Sequence, residues 1–387
     1  MKILIWDKGL PLNNSGGPSG YLWNIKQYLI RNNDSEILFY SDLIEQNRRG
    51  KNIITTLLLG FCAFLKRVHW AHIILNYHYK GALTKHEEEV IKGVDYVHFH
   101  NLSAVCGYNK LCKKLGVKTI LTIHSPEPLI DELNSRDGVT MTSNKRDYYL
   151  KKEITLIAGV DYLMFPVKGA VDCFTSATDI YKDFFGRKEI KEKMFFVPTA
   201  LPDKEKPISE NYLAGYNIPK VAKRICYVGR HNKIKGYTYL KEVANEVWKI
   251  NPDVYFVIGG KSDGEAPNSD SRWIELGWVN TISLLQEVDV FVLPNQQTYF
   301  DIIALEILRN GTPLVTTLTG GNKYLSEINN GGISFIPNDN PYEAAKILVQ
   351  CITTADSGSS TRRLYELYFT MPKFIEQYKQ NISQLEK

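Results

Sequence analysis

Between Tyr227 and Tyr237 the chain places Gly229, Arg230, Lys235 and Gly236 in one short loop. A β-branched and aromatic run, 224–228, precedes that loop and a helical-period segment follows it, so both cations stand at a strand end, where open α/β sheets bind ligands. A planar guanidinium offers paired donors to phosphate oxygens, and an ammonium adds a compact point charge. The combination suits a reaction that expels a nucleotide diphosphate, whose oxygens gain negative charge as the bond breaks. A solvated surface loop is the plainer alternative.

A second segment, 298–315, follows the apolar run 290–293 and carries Glu306 among Ile302, Ile303, Leu305, Ile307 and Leu308. A carboxylate in such surroundings needs a partner, either a ribose diol or a basic side chain, unless it is part of a structural salt bridge. Asp301 is predicted to cap this helix by accepting backbone N–H bonds, a role that competes with contact to a sugar. Gly320 and Gly321 follow the next strand and are expected to offer amides to a phosphate or a sugar hydroxyl. Near the start, Gly16 and Gly17 lead into a helix at 21–30, as a ligand loop or as an ordinary flexible connection. Their spacing is not Gly-x-Gly-x-x-Gly, so a dinucleotide site is not supported.

Short β-branched and aromatic runs alternate with helical-period segments along the whole chain, which is the pattern of βα units feeding parallel sheets. Strands are predicted at 2–6, 36–40, 96–100, 118–123, 162–165 and 194–197. A second series is predicted at 224–228, 254–258, 273–276, 290–293, 313–316 and 333–336. Between the series, 198–207 holds three prolines and four charged residues, a composition that punctuates rather than packs, and a linker is expected there. The fold class is therefore α/β, with two doubly wound Rossmann-like domains facing a central cleft. Residues 1–202 form the first domain, joined by a C-terminal helix at 371–387, and residues 203–370 form the second.

The 387 residues are enough for two cores, and 44% hydrophobic with 23% charged residues is ordinary for a globular chain. Six scattered cysteines form no Cys-x-x-Cys pair, which fits a reducing cytoplasm and suggests neither a disulfide framework nor a zinc site. The start, 1–7, reads as a first strand rather than a leader. The most apolar window, 55–65, is about half the ~20 residues needed to span a bilayer and reads as an interior helix. Residues 1–200 hold 27 Lys+Arg against 21 Asp+Glu, leaving 20 against 21 for the rest. That basic excess either attracts the first half to anionic lipid, with Lys66, Arg67 and Lys80 near the apolar window, or is a solvated surface. No dense Arg/Lys stripe with interleaved aromatics points to nucleic acid.

Taken in order, these segments resemble the retaining family 4 glycosyltransferases of GT-B fold, most specifically over 227–321. Val228-Gly229-Arg230 with Lys235-Gly236 looks like that family's diphosphate-binding Arg/Lys pair. Glu306 matches the second acid of its Glu, seven residues, Glu motif, which implies a contact to the donor ribose. The first acid falls at Thr298, and Asp301 stands where the family often has glycine. Asp301, or the backbone at 300–303, then takes over the sugar contacts. Gly16 and Gly17 look like the family's N-terminal glycine loop. The run 121–127 is similar to its strand ending in histidine, which implies that His124 faces the reacting sugar. Val197-Pro198-Thr199-Ala200 stands where many members have Pro-Asn-Gly.

The resemblance implies transfer of a hexosyl group from a UDP- or GDP-sugar to a hydroxyl, with retention at the anomeric carbon. No metal and no cofactor beyond the nucleotide-sugar donor is expected, Arg230 and Lys235 acting in place of a divalent cation. A glycan or lipid-linked saccharide at the inner membrane face is the expected acceptor, in bacterial surface polysaccharide synthesis. The first domain then binds acceptor and the second binds donor. Rival readings are a non-catalytic GT-B partner subunit, kept open by Thr298, and an epimerase or phosphorylase on the same architecture.

Overall fold

The computed structural model describes residues 1–13, 17–43, 57, 60–62, 68–203, 211–354 and 358–385. Gly16, Lys66 and Arg67 lie outside the described residues, as does most of the 55–65 window.

Two six-stranded sheets account for the predicted strands, each end within one residue of its expected place. The first holds β1 (Ile3–Trp6), β2 (Ile37–Phe39), β3 (Tyr96–Phe99), β4 (Lys118–Thr122), β5 (Tyr162–Phe165) and β6 (Met194–Phe196), in the order β2-β1-β3-β4-β5-β6. The second holds β7 (Lys223–Val228), β8 (Val254–Gly259), β9 (Trp273–Gly277), β10 (Val290–Leu293), β11 (Leu314–Thr317) and β12 (Ile333–Ile336), in the order β12-β11-β10-β7-β8-β9. Every pairing is parallel. Parallel strands carry helices on both faces, so the central ones read as continuous apolar runs. ILIW of β1 and VFVL of β10 are buried at every position.

The chain divides into two compact units. One comprises Met1–Phe165, Cys173–Val197 and Lys379–Lys387, and the other Pro166–Asp172 and Pro198–Tyr378. The helix Met371–Gln384 begins in the second unit and ends in the first. There Lys379 pairs with Asp34 at 2.6 Å, and Tyr162 donates to the carbonyl of Leu385. The change of unit falls at Val197 and Pro198, yet the described part of the expected linker is packed rather than free. Leu201 is buried and its N–H donates to Phe369 O, Arg309 reaches Pro202 O, and Arg362 pairs with Asp203. The apolar Ala200-Leu201 between the prolines is what anchors it.

Local chemistry explains the helices that position the site. Tyr237–Ile250 buries Tyr237, Leu240, Val243, Ala244 and Val247, the three- and four-residue spacing of one apolar face. Leu129–Asp137 begins at Pro128, which has no side chain to cap it. Glu153 of the helix Ser143–Ala158 does so instead, accepting from the amides of Leu129 and Ile130 and from the hydroxyls of Tyr77 and Tyr181. Burial raises its carboxyl to about 7 against the pull of those donors. Leu57 and Phe61 are exposed, so these two residues of the apolar window do not line an interior.

Candidate active site

The loops at the carboxyl ends of β7, β8 and β9 are stitched together through their backbones. Gly229 N–H donates to Gly259 O at 3.1 Å, Gly260 N–H to Gly277 O at 2.6 Å, and His231 N–H to Lys261 O at 3.0 Å. Gly260 sits at φ 124°, and a Cβ there would lie 1.9 Å from Gly229 O, so only glycine permits the approach. Tyr227 donates its hydroxyl to Arg230 O at 2.8 Å. The buried ring of His231 stacks on Tyr237 with centroids 4.3 Å apart and planes 3° from parallel. Tyr237 and Trp273 in turn both donate to Glu275 Oε1. Arg230 therefore rises into solvent from a fixed backbone. Among the described residues no carboxylate pairs with its guanidinium.

Lys235 is held differently. Its N–H donates to Asn232 Oδ1, and the next residue, Gly236, adopts φ 74° where a Cβ would meet Pro294 O at 1.8 Å. The loop is thus laid on the end of β10. Its ammonium is engaged by Asp301, at 2.7 Å to Oδ1 and 2.8 Å to Oδ2, and Asn295 donates to the same carboxylate at 2.6 Å. Asp301 is the N-cap residue of the helix Ile302–Asn310, as expected, but its side chain makes no capping hydrogen bond. An ammonium within reach outcompetes the backbone N–H, because a charge-assisted pair is the stronger contact.

Glu306 lies half-buried in that helix between the fully buried Leu305 and Ile307. Thr298 is buried, and its hydroxyl has no hydrogen-bond partner among the described residues. Its carbonyl is covered by the loop after β11. Gly321 N–H donates to Thr298 O at 3.1 Å, and a Cβ on Gly320, at φ 47°, would lie 1.9 Å from that oxygen. The loop after β5 closes in on the same place, where a Cβ on Gly169 would meet Gly320 O at 2.1 Å. The glycines serve backbone-to-backbone packing, and the Gly321 amide offered to a phosphate in the sequence reading is already engaged.

In the first unit Gly17 opens the helix Gly17–Arg31 at φ 59°. His124 follows β4 and meets two histidines that sequence reasoning passed over. His100 Nδ1 and His124 Nε2 are 2.9 Å apart, His98 Nε2 lies 2.8 Å from Thr122 Oγ1, and the His98 and His100 rings are 4.2 Å apart. The Tyr21 ring lies 5.1 Å from that of His124. Burial lowers His98 to about 3 and His124 to about 4, and, with its two neighbours, drives His100 well below the ordinary value. The trio is neutral at physiological pH and acts through hydrogen bonds. The signal available in the sequence was His98-Phe99-His100 at a strand end, since alternate residues share a face. One more residue was missed: Asn295, which holds Asp301.

Two Rossmann-like α/β domains on parallel sheets, with glycine-tight loops at the strand ends, define a protein of the GT-B architecture. Residues 222–354, inside the second unit, match the family described as Glycosyl transferases group 1. The chain is 26% identical over 204 residues to D-inositol 3-phosphate glycosyltransferase of Corynebacterium urealyticum; the match covers 44% of this chain and 48% of that protein, about half its length. Among solved structures, sucrose-phosphate synthase of Thermosynechococcus elongatus is similar at TM-score 0.61 and 15% identity, covering 100% of this chain and 99% of that one. Anabaena Alr3699/HepE, solved with UDP and glucose, is similar at 0.60 and 14%, with 99% of each chain covered. Together the family match and the fold support a glycosyltransferase. No helix among the described residues is long and apolar enough to cross a membrane.

Proposed function

We propose that this chain is a retaining hexosyltransferase that takes its sugar from a UDP- or GDP-linked donor and passes it to a hydroxyl of a glycan or lipid-linked saccharide. The observation that carries the reading is the loop after β7, which presents Arg230 and Lys235 from a backbone pinned by Tyr227, Gly229 and Gly236. Fixed cations of this kind stabilise charge on a departing diphosphate without reorganising, and need no metal to do so. The second unit takes the donor: Glu306 holds the ribose, Asp301 and Thr298 meet the sugar, and Gly320 adds an amide. The first unit takes the acceptor, with Gly16 and Gly17 in its ligand loop and neutral His124 facing the reacting sugar. As the bond from the anomeric carbon to phosphate breaks and the bond to the acceptor oxygen forms, the acceptor proton passes to a donor phosphate oxygen, and no protein base is assigned.

Anabaena HepE, a structural relative, was solved with UDP and glucose, which favours UDP as the nucleotide. On this reading the protein works in a reducing cytoplasm, and a lipid-linked acceptor brings it to the inner membrane face. Arg230→Ala with Lys235→Ala should lower donor hydrolysis or transfer by roughly 10²-fold or more. Rates within a few-fold of the unaltered chain overturn the assignment. Thr298, in place of an acid, and the Asp301 carboxylate on Lys235 favour one second reading, a non-catalytic partner subunit. Tight UDP binding without turnover on any acceptor, together with co-purification of a homologous chain, is its signature.

A further inference from the structure

Exposed apolar side chains in the first unit are concentrated, not scattered. Among the described residues it exposes eight large ones, and five of them, Leu57, Phe61, Val68, Trp70 and Ile74, fall within 57–74. The helix Val68–Tyr77 buries Ala71, Ile73 and Tyr77, turns His69 and His72 onto Asp137, and leaves Trp70 and Ile74, one turn apart, facing solvent. It carries no acidic residue.

Beside it runs Ser143–Ala158, whose Tyr149 ring lies 4.9 Å from that of Tyr77. Lys145 of that helix stands over the Trp70 ring at 4.0 Å, and Tyr148, 55% exposed, lies one turn further with Lys152 at 5.8 Å from its ring. Two nearby carboxylates are already matched. Asp131 is bound by both guanidinium arms of Arg146, and Asp137 by His69, His72 and Arg136. Asp147 and Glu132 remain, against Lys145, Lys151 and Lys152.

Trp and Tyr rings with one apolar end, an aliphatic neighbour and lysines around them match the composition that settles at a membrane–water boundary. The lysine excess selects anionic head groups over neutral ones. We propose that the face formed by Trp70, Ile74, Lys145, Tyr148 and Lys152 docks this protein on an anionic lipid surface. Docking rests on the proposed lipid-linked acceptor for its purpose, but not for its detection.

The test is co-sedimentation of the full chain with vesicles of phosphatidylcholine alone or mixed with phosphatidylglycerol. The unaltered chain should partition to the mixed vesicles and be released by high salt. Lys145→Glu with Lys152→Glu should weaken that binding about 10-fold or more. Trp70→Ser with Ile74→Ser, and separately Tyr148→Ser, should weaken it while circular dichroism melting and UDP binding stay unchanged. Absence of vesicle binding, or variants that bind like the unaltered chain, overturns the proposal, as does a salt-independent dimer dissolved by Trp70→Ser. Failure to bind UDP with vesicle binding intact overturns the donor assignment and leaves this one standing.

Discussion

The two sheets have the same parallel architecture, yet the groups at their carboxyl ends are physically opposite. At the ends of β3 and β4 stand three histidines, His98 within β3, His100 just past it and His124 just past β4, the first two buried, all kept neutral by desolvation and hydrogen-bonded to one another or to Thr122. After β7 and β10 stand Arg230, in solvent, and the ion pair of Lys235 with Asp301, on loops that glycines hold in contact. A neutral, inflexible cluster recognises hydroxyls by direction. A fixed cationic one recognises and stabilises anions. On the proposed assignment, acceptor recognition and donor activation call for different electrostatics on one fold, and pH is the variable that separates them.

The largest expected difference is in acid. An unfolded chain protonates each histidine near 6.5, whereas His98 resists to about 3, His124 to about 4, and His100 lies well below its ordinary value. Between about pH 6.5 and 4.5 the unfolded state binds more protons at these three sites, so their contribution to stability falls as pH falls. Glu153 opposes them. Its folded carboxyl keeps a proton up to about 7 while the unfolded one releases it near 4.5, so its contribution falls as pH rises. Three sites against one leave a net loss of stability on acidification, at roughly 1.4 kcal/mol per pH unit for each extra proton the unfolded state binds. Urea denaturation at pH 5 and 6.5 measures it, and His100→Asn should reduce it. Equal acid sensitivity in the first and second units breaks the contrast.

Glycine substitutions separate the units next. Ala at Gly236 must adopt φ 74° with its Cβ 1.8 Å from Pro294 O, whereas Gly138, closing Leu129–Asp137 at φ 63°, has open space around it. Gly138→Ala should cost about 1 kcal/mol, the left-handed penalty alone. Gly236→Ala should cost roughly 2–4 kcal/mol and abolish UDP binding, since the loop bearing Lys235 has to lift off β10. Thermal melts and UDP titration read both. Equal costs would mean that the close approach to Pro294 has no energetic weight.

Much of this was legible in the sequence, and the boundary has a physical origin. All twelve strands were visible because a strand buried on both faces must be a short β-branched or aromatic run. The place of Arg230 and Lys235 in the loop after β7 was legible because a strand end followed by a helix start is a local pattern, and Glu306 lies in an apolar helix as expected. What escaped was set by distance along the chain. Lys235 and Asp301 are 66 residues apart and His100 and His124 are 24, and no local period announces either pairing. Gly320 was read as an amide donor, while its tight packing on Thr298 depends on two loops from different strands meeting. The prolines beside Leu201 point to a linker, although its own side chain is buried.

The smallest effect tests how the cationic end is shared. Each carboxylate oxygen of Asp301 can accept two hydrogen bonds. Lys235 takes one on each, Asn295 a second on Oδ2, and one position on Oδ1 remains, which the proposed function gives to a sugar hydroxyl. On the proposed assignment the same carboxylate competes with a diphosphate for Lys235. Asp301→Asn removes the competing charge while keeping an acceptor, so UDP should bind about 3- to 10-fold tighter, the size expected from relieving one partly screened repulsion. Transfer should slow in the same variant, because the hydroxyl loses its charged acceptor. Thr298→Glu with Asp301→Gly moves the acid back to the position where the resembling family carries it, and should change which UDP-sugar gives the highest kcat/KM. Isothermal titration with UDP and a donor panel measure the two effects separately. Unchanged UDP affinity in Asp301→Asn would mean that Lys235 is not contested, and that the sugar end is read by Thr298 and the backbone at 300–303 alone.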